Sequence, residues 1–178
     1  PRLAPHTHPP ARAPRAALTR SETGARPPPA FALRGWGRSA RLVVFTGHAS
    51  ETTNNPYAAS LDCGACAGNP GGPSARVLAA ICSDETVTSG LRDRGFDIPD
   101  DTVFIAAEHN TTTDEVELFG GVPETHAADL NRLQGDLPAA REGATGEGAE
   151  AMGADAAAGV GETHRRATDW AQRRREWG

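Results

Sequence analysis

The sequence predicts an α/β fold built on a partial parallel sheet, and three observations predict it. Two short apolar runs, 41–46 and 102–107, have the length and β-branched composition of buried strands. A segment with helical spacing lies between them, and the order strand, helix, strand calls for parallel pairing. Each run ends in a polar cluster that contains a histidine, His48 or His109. The carboxyl ends of strands are where open α/β sheets bind ligands.

The elements follow in order. Residues 41–46 form the first strand, which delivers Gly47-His48-Ala49-Ser50 at its end. Residues 47–72 read as a long loop rich in Gly, Asn, Pro and Ser, and loops of that length inside a domain are usually functional. Gly71-Gly72-Pro73-Ser74 opens a helix, since proline suits the first helical position. Val77, Leu78, Ile81 and Cys82 define its expected buried face. Ser83-Asp84-Glu85-Thr86 starts a second short helix, about residues 84–94, stopped by Gly95. Ile98-Pro99-Asp100-Asp101 is a turn before the second strand. Val116-Glu117-Leu118-Phe119 reads as a third, more exposed strand, and His126 to about Arg141 as a helix. A right-handed crossover places the His48 and His109 loops on one edge of the sheet.

Composition sets the domain plan. Residues 1–38 hold eight of the 14 prolines and few apolar residues, so they read as a disordered Pro/Arg-rich leader. Residues 39–137 form the α/β domain, 138–161 a flexible Ala/Gly/Glu-rich segment, and 162–178 a C-terminal helix. Only 38% of the 178 residues are hydrophobic, which gives one domain with a thin core. Residues 1–40 carry seven arginines against the single acid Glu22, and the rest carries 11 arginines against 22 acids. The basic arm has no interleaved aromatics and no recognition fold, so no nucleic-acid partner is expected. Three cysteines and no signal-peptide pattern argue against a disulfide framework. No stretch reaches the about 18 apolar residues of a membrane span.

The chemistry centres on His48 and Cys63, in Gly47-His48-Ala49-Ser50 and Asp62-Cys63-Gly64-Ala65-Cys66. Imidazole nitrogen and thiolate sulfur are zinc donors. The glycines beside them let the backbone bend so that two side chains converge. Two ligands fall short of the three or four protein ligands that stable zinc sites use. Two other readings stand beside this one. Cys63-Gly64-Ala65-Cys66 is a CxxC and fits a thiol redox motif. Cys63, Cys66, His48 and His109 together have the residue types of a structural Cys2His2 site, although their spacing matches no standard finger. Cys82, on an apolar helical face, reads as core.

Several motifs resemble the DabA family of inorganic-carbon transporter subunits. They are Gly47-His48-Ala49-Ser50, Asn54-Asn55-Pro56, Asp62-Cys63-Gly64-Ala65-Cys66-Ala67-Gly68 and Gly71-Gly72-Pro73-Ser74-Ala75-Arg76, with Ile98-Pro99-Asp100-Asp101-Thr102, His109-Asn110-Thr111, Asp169-Trp170-Ala171 and Glu176-Trp177-Gly178. The resemblance covers roughly residues 38–137 well and 162–178 more weakly.

That resemblance implies a Rossmann-like parallel sheet similar to β-class carbonic anhydrases. It implies a Zn(2+) ion held by His48 and Cys63 together with a Cys and an Asp from an earlier Cys-x-Asp-x-Arg segment. Residues 1–37 contain neither cysteine nor aspartate. No catalytic residue is therefore expected in this chain, which reads as an internal or C-terminal piece, inactive by itself. Cys66 is not a ligand in the family pattern. The implied activity is vectorial CO2 hydration to bicarbonate. The implied partner is a DabB-like membrane subunit that translocates protons or cations. The implied location is peripheral, on the cytoplasmic side of the cell membrane.

Overall fold

A computed structural model describes residues 38–51, 62–151 and 161. Asn54-Asn55-Pro56, the leader up to residue 37 and the helix expected at 162–178 lie outside the described residues.

The fold is α/β, with a small mixed sheet and flanking helices. Strand β1 spans Leu42–Ala49, β2 Val103–Asn110 and β3 Glu115–Phe119, in the order β1-β2-β3. β1 and β2 are parallel, as the element order predicts, and their register sets Gly47 opposite Glu108 and His48 opposite His109. β3 is antiparallel to β2. The sheet is therefore mixed rather than wholly parallel, because residues 111–114 make only a tight turn and a parallel return needs a crossover of a dozen residues or more.

The crossover from β1 to β2 contains helix α1, Gly72–Cys82, and helix α2, Glu85–Arg92. The buried positions of α1 are Gly72, Ala75, Ala79 and Cys82. Val77, Leu78 and Ile81, expected to form its buried face, are only half-buried. The small residues let the helix axis lie close to the strands, and the larger aliphatics flank the contact. Phe45 and Phe104 stack across the sheet at 5.8 Å between ring centroids. With Ala75, Ala79, Cys82, Leu91, Ile98 and Ala106 they make the core. Burial pushes the Cys82 thiol pKa up to about 12, in keeping with a core role.

Local chemistry sets the bounds of α2. Asp84 caps it, its Oδ1 accepting from the Thr86 N–H at 2.9 Å. Thr88 Oγ1 donates to the Cys82 carbonyl at 2.8 Å and ties α2 to the end of α1. The helix ends at Arg92, and Gly95 takes a φ of +90° in the turn that follows.

A 3-10 turn, Glu124–His126, leads into helix α3, Ala127–Ala151. The sequence placed a break at about 138–141. The helix instead runs through Pro138 and on to Ala151. Its second half is anchored. Arg141 Nε donates to the Thr113 carbonyl at 2.9 Å, Arg141 pairs with Glu115 at 3.1 Å, and Thr145 and Ala149 are buried. Such tertiary contacts outweigh the weak helix propensity of Gly143, Gly146 and Gly148. At the other extreme of the domain, Arg38, expected to end the leader, already bridges to Asp97.

Candidate metal half-site

The C-terminal edge of β1 is built by close backbone approach. Gly47 lies against Gly71, and a Cβ at position 47 would overlap the Gly71 carbonyl group. A Cβ at Gly71 would stand 2.7 Å from the His48 nitrogen. Only glycine allows this contact, and it permits the Gly71 N–H to donate to the His48 carbonyl at 2.8 Å. The start of α1 is thereby bonded to the residue at the end of the strand.

The segment carrying Cys63 returns to the same edge. Asp62 Oδ1 accepts from the Ser50 N–H at 2.8 Å and from the Ser50 hydroxyl at 3.2 Å. The chain then turns tightly through the 3-10 segment Gly64–Cys66, with the Cys63 carbonyl accepting from Cys66 N at 3.0 Å and Gly68 N at 3.1 Å. Ala67 at φ 57° and Gly68 at φ 74° complete the reversal. Cys66 Sγ lies 3.4 Å from the hydroxyl of Ser74 in the first turn of α1. The Ser74 hydroxyl, and after it the Cys63 thiol, hold the Cys66 pKa below the usual thiol value.

The structure therefore brings the His48 and Cys63 segments to one place, the N-terminal turn of α1. His48 is exposed and its ring has no hydrogen-bond partner among the described residues, while Cys63 is buried. Their donor types suit zinc.

His109 shares the edge but is otherwise engaged. Its Nε2 lies 3.1 Å from Asp114 Oδ1, and Asp114 Oδ2 accepts from Thr145 Oγ1 at 2.8 Å. Among the described residues, no group of three or more His, Cys, Asp or Glu is placed to hold a metal ion. The Cys2His2 arrangement of Cys63, Cys66, His48 and His109 is thus not assembled, because His109 is paired with Asp114 and Cys66 with Ser74.

The rest of the His109-Asn110-Thr111 cluster braces the edge. Thr111 donates from both N and Oγ1 to the Ala49 carbonyl, at 2.8 and 2.9 Å. Asn110 Nδ2 donates to Glu51 at 3.1 Å, and the Glu51 N–H donates to Thr112 Oγ1 at 3.0 Å.

Sequence reasoning gave Glu108 no role. Its Oε2 accepts from the Gly72 N–H at 2.8 Å, at the N-terminus of α1. An acid closing an otherwise apolar strand, opposite a glycine, was the available signal. Arg76, one turn along α1, stacks its guanidinium 4.2 Å above the Phe119 ring, and its buried Nε has no hydrogen-bond partner among the described residues.

Comparison with known proteins matches residues 2–178 to a family model described as probable inorganic carbon transporter subunit DabA. A relative of that description from Haloarcula marismortui is 69% identical over 150 residues, covering 84% of this chain and 19% of its own. One from Natronomonas pharaonis is 65% identical over 151 residues, with the same coverage. One from Salinibacter ruber is 56% identical over 157 residues, again covering 84% and 19%. The chain spans about a fifth of the length of these curated relatives. No solved structure matches it.

Proposed function

The chain belongs to the DabA family of probable inorganic carbon transporter subunits, and from that premise we propose that it supplies half of a zinc site in an energy-coupled CO2/bicarbonate pump. The observation that carries the proposal is the meeting of the His48 and Cys63 segments at the first turn of α1. Two donors are half of a tetrahedral set. The other two, and the acid–base dyad, belong to polypeptide outside this chain, in a sheet of Rossmann-like, β-carbonic-anhydrase-like kind.

In this reading His48 holds the metal through an imidazole nitrogen and Cys63 through its sulfur. When bound, zinc lowers the pKa of water to about 7, which makes CO2 hydration possible near neutral pH. The chain's own part is placement. The Gly71–His48 bond fixes the backbone of one ligand, and the Asp62–Ser50 and Cys66–Ser74 contacts fix the turn that bears the other. The partner is a DabB-like membrane subunit that moves protons or cations, and the assembly sits peripherally on the cytoplasmic face. No helix among the described residues is long and apolar enough to cross a membrane.

The test is metal content and bicarbonate uptake of the complete polypeptide expressed with its membrane partner. His48→Ala and Cys63→Ser should each remove bound zinc and uptake, while Cys66→Ala retains zinc. Equal zinc loss from Cys66→Ala and Cys63→Ser would refute this ligand assignment.

A further inference from the structure

Three bonds meet in the first turn of α1. The Gly71 N–H holds the His48 carbonyl at 2.8 Å. Ser74 Oγ contacts Cys66 Sγ at 3.4 Å, three residues after Cys63. Between them, the Gly72 N–H donates to Glu108 Oε2 at 2.8 Å. The first two bonds reach the segments that carry His48 and Cys63. The third reaches β2, the central strand, which is paired on both sides.

We propose that Glu108 is the positioning residue for the His48/Cys63 half-site; the role rests on the zinc reading above. Its carboxylate fastens the first turn of α1, to which both ligand-bearing segments are bonded, to the strand that is laddered on both edges. β1, which carries His48, pairs with β2 alone among the described strands. Without Glu108, the hydrogen bonds of this turn reach β2 only indirectly, through the β1–β2 ladder. The Glu108 carboxylate also satisfies an N–H that helix geometry leaves without a partner, and its charge suits the positive end of the helix dipole.

Reach makes the residue specific. Gly47 stands opposite Glu108 in the register and has no side chain to obstruct its path. Gly72 is likewise bare, since a Cβ there would run into the Glu108 carboxylate and lie 2.9 Å from Phe119 Cε2. An aspartate at 108 would be one methylene short, whereas a glutamine would reach and still present an oxygen.

The test measures zinc affinity in the complete polypeptide by competition with a chromophoric chelator, alongside the visible absorption bands of the cobalt-loaded protein. Glu108→Ala and Glu108→Asp should weaken zinc binding by about tenfold or more and alter the cobalt bands, as outer-sphere losses do. Glu108→Gln should stay close to the parent in both. Thr88→Val, which removes a hydrogen bond between α1 and α2 away from the site, should lower the melting temperature and leave both metal readouts unchanged. Should Glu108→Ala fail to fold, the Asp and Gln variants decide. Parent-like affinity in Glu108→Asp, or a loss in Glu108→Gln as large as in Glu108→Asp, overturns the positioning role. His48→Ala separates the two levels. If it binds zinc like the parent, the ligand assignment itself is overturned; if it loses zinc while Glu108→Asp does not, only the role of Glu108 falls.

Discussion

The two ends of the sheet are held by different chemistry. At the N-terminal end of β1 and β2, long charged side chains do the joining. Arg41 donates to Asp101 at 2.7 Å, to Asp129 at 2.8 Å and to the Thr125 carbonyl at 3.1 Å. His126 is buried there with both ring nitrogens engaged, Nε2 donating to the Asp101 carbonyl and Nδ1 paired with the Thr125 hydroxyl at 3.0 Å. At the C-terminal end the joining falls to bare backbone, the Cys66 thiol and shorter polar or acidic side chains, among them Asp62, Glu108, Thr111 and Asp114. The N-terminal end satisfies its histidine completely. The C-terminal end leaves the His48 ring without a partner among the described residues. The difference is that the C-terminal end keeps an exposed imidazole unengaged by the described residues, and it is this end that the zinc proposal uses.

The sharpest way to break this contrast is Gly47→Ala. The added methyl has no space, because it would overlap the Gly71 carbonyl group, and backbone on both sides cannot step aside as a side chain can. The expected cost is about 3 kcal/mol, at the upper end for overpacking. Bound zinc should be lost with it, since the Gly71–His48 bond cannot survive the separation. Thermal melting and metal analysis of the complete polypeptide check both. A parent-like melting temperature would mean that the glycine contact is not what closes this edge.

How much of this was legible in the sequence depends on the kind of signal. The two core strands and α2 were readable because β-branched runs, the Asp84 cap and Gly95 are local signals. The edge shared by His48 and His109 followed from strand order alone. The buried face of α1 was misread because hydrophobicity favoured Val77 and Ile81, while packing distance to the sheet selected Ala75 and Ala79. The extent of α3 was hidden because its anchors, Thr113 and Asp114, lie about 30 residues away in the β2–β3 turn. Glu108 was passed over for a related reason. Its partner is a backbone N–H 36 positions back, which no periodicity reports.

Within the C-terminal end, His109 offers a finer comparison with His48, its register neighbour. Asp114 holds the His109 ring and adopts a left-handed φ of 55°, uncommon for a non-glycine residue. Asp114→Ala removes hydrogen bonds to both His109 and Thr145 and keeps the strained backbone. The expected loss is about 2 kcal/mol. Asp114→Asn should recover most of it, because asparagine tolerates this conformation and can bond both partners. Zinc content should be unchanged in both variants if His109 braces the edge and does not bind metal. Zinc loss in Asp114→Asn at parent-like melting temperature would return His109 to the ligand set.

The smallest effect belongs to the N-terminal end. The hydrogen bond from Arg41 holds the Asp101 carboxyl below its ordinary value of about 3.9. A carboxylate with a depressed folded pKa stabilises the fold fully above its unfolded pKa. That stabilisation fades as pH falls through the lower folded value. Both side chains are about half exposed, so solvent screening keeps the contribution small. The melting temperature of metal-free protein should therefore drop more steeply below about pH 4 for the parent than for Arg41→Gln, the two curves converging in acid. Removing the metal matters, because protonation of Cys and His ligands would otherwise add its own pH dependence. Parallel curves at all pH values would show that the Arg41–Asp101 bond contributes nothing, leaving the Arg41 bond to the Thr125 carbonyl, His126 and the apolar contacts to hold the N-terminal end of the sheet.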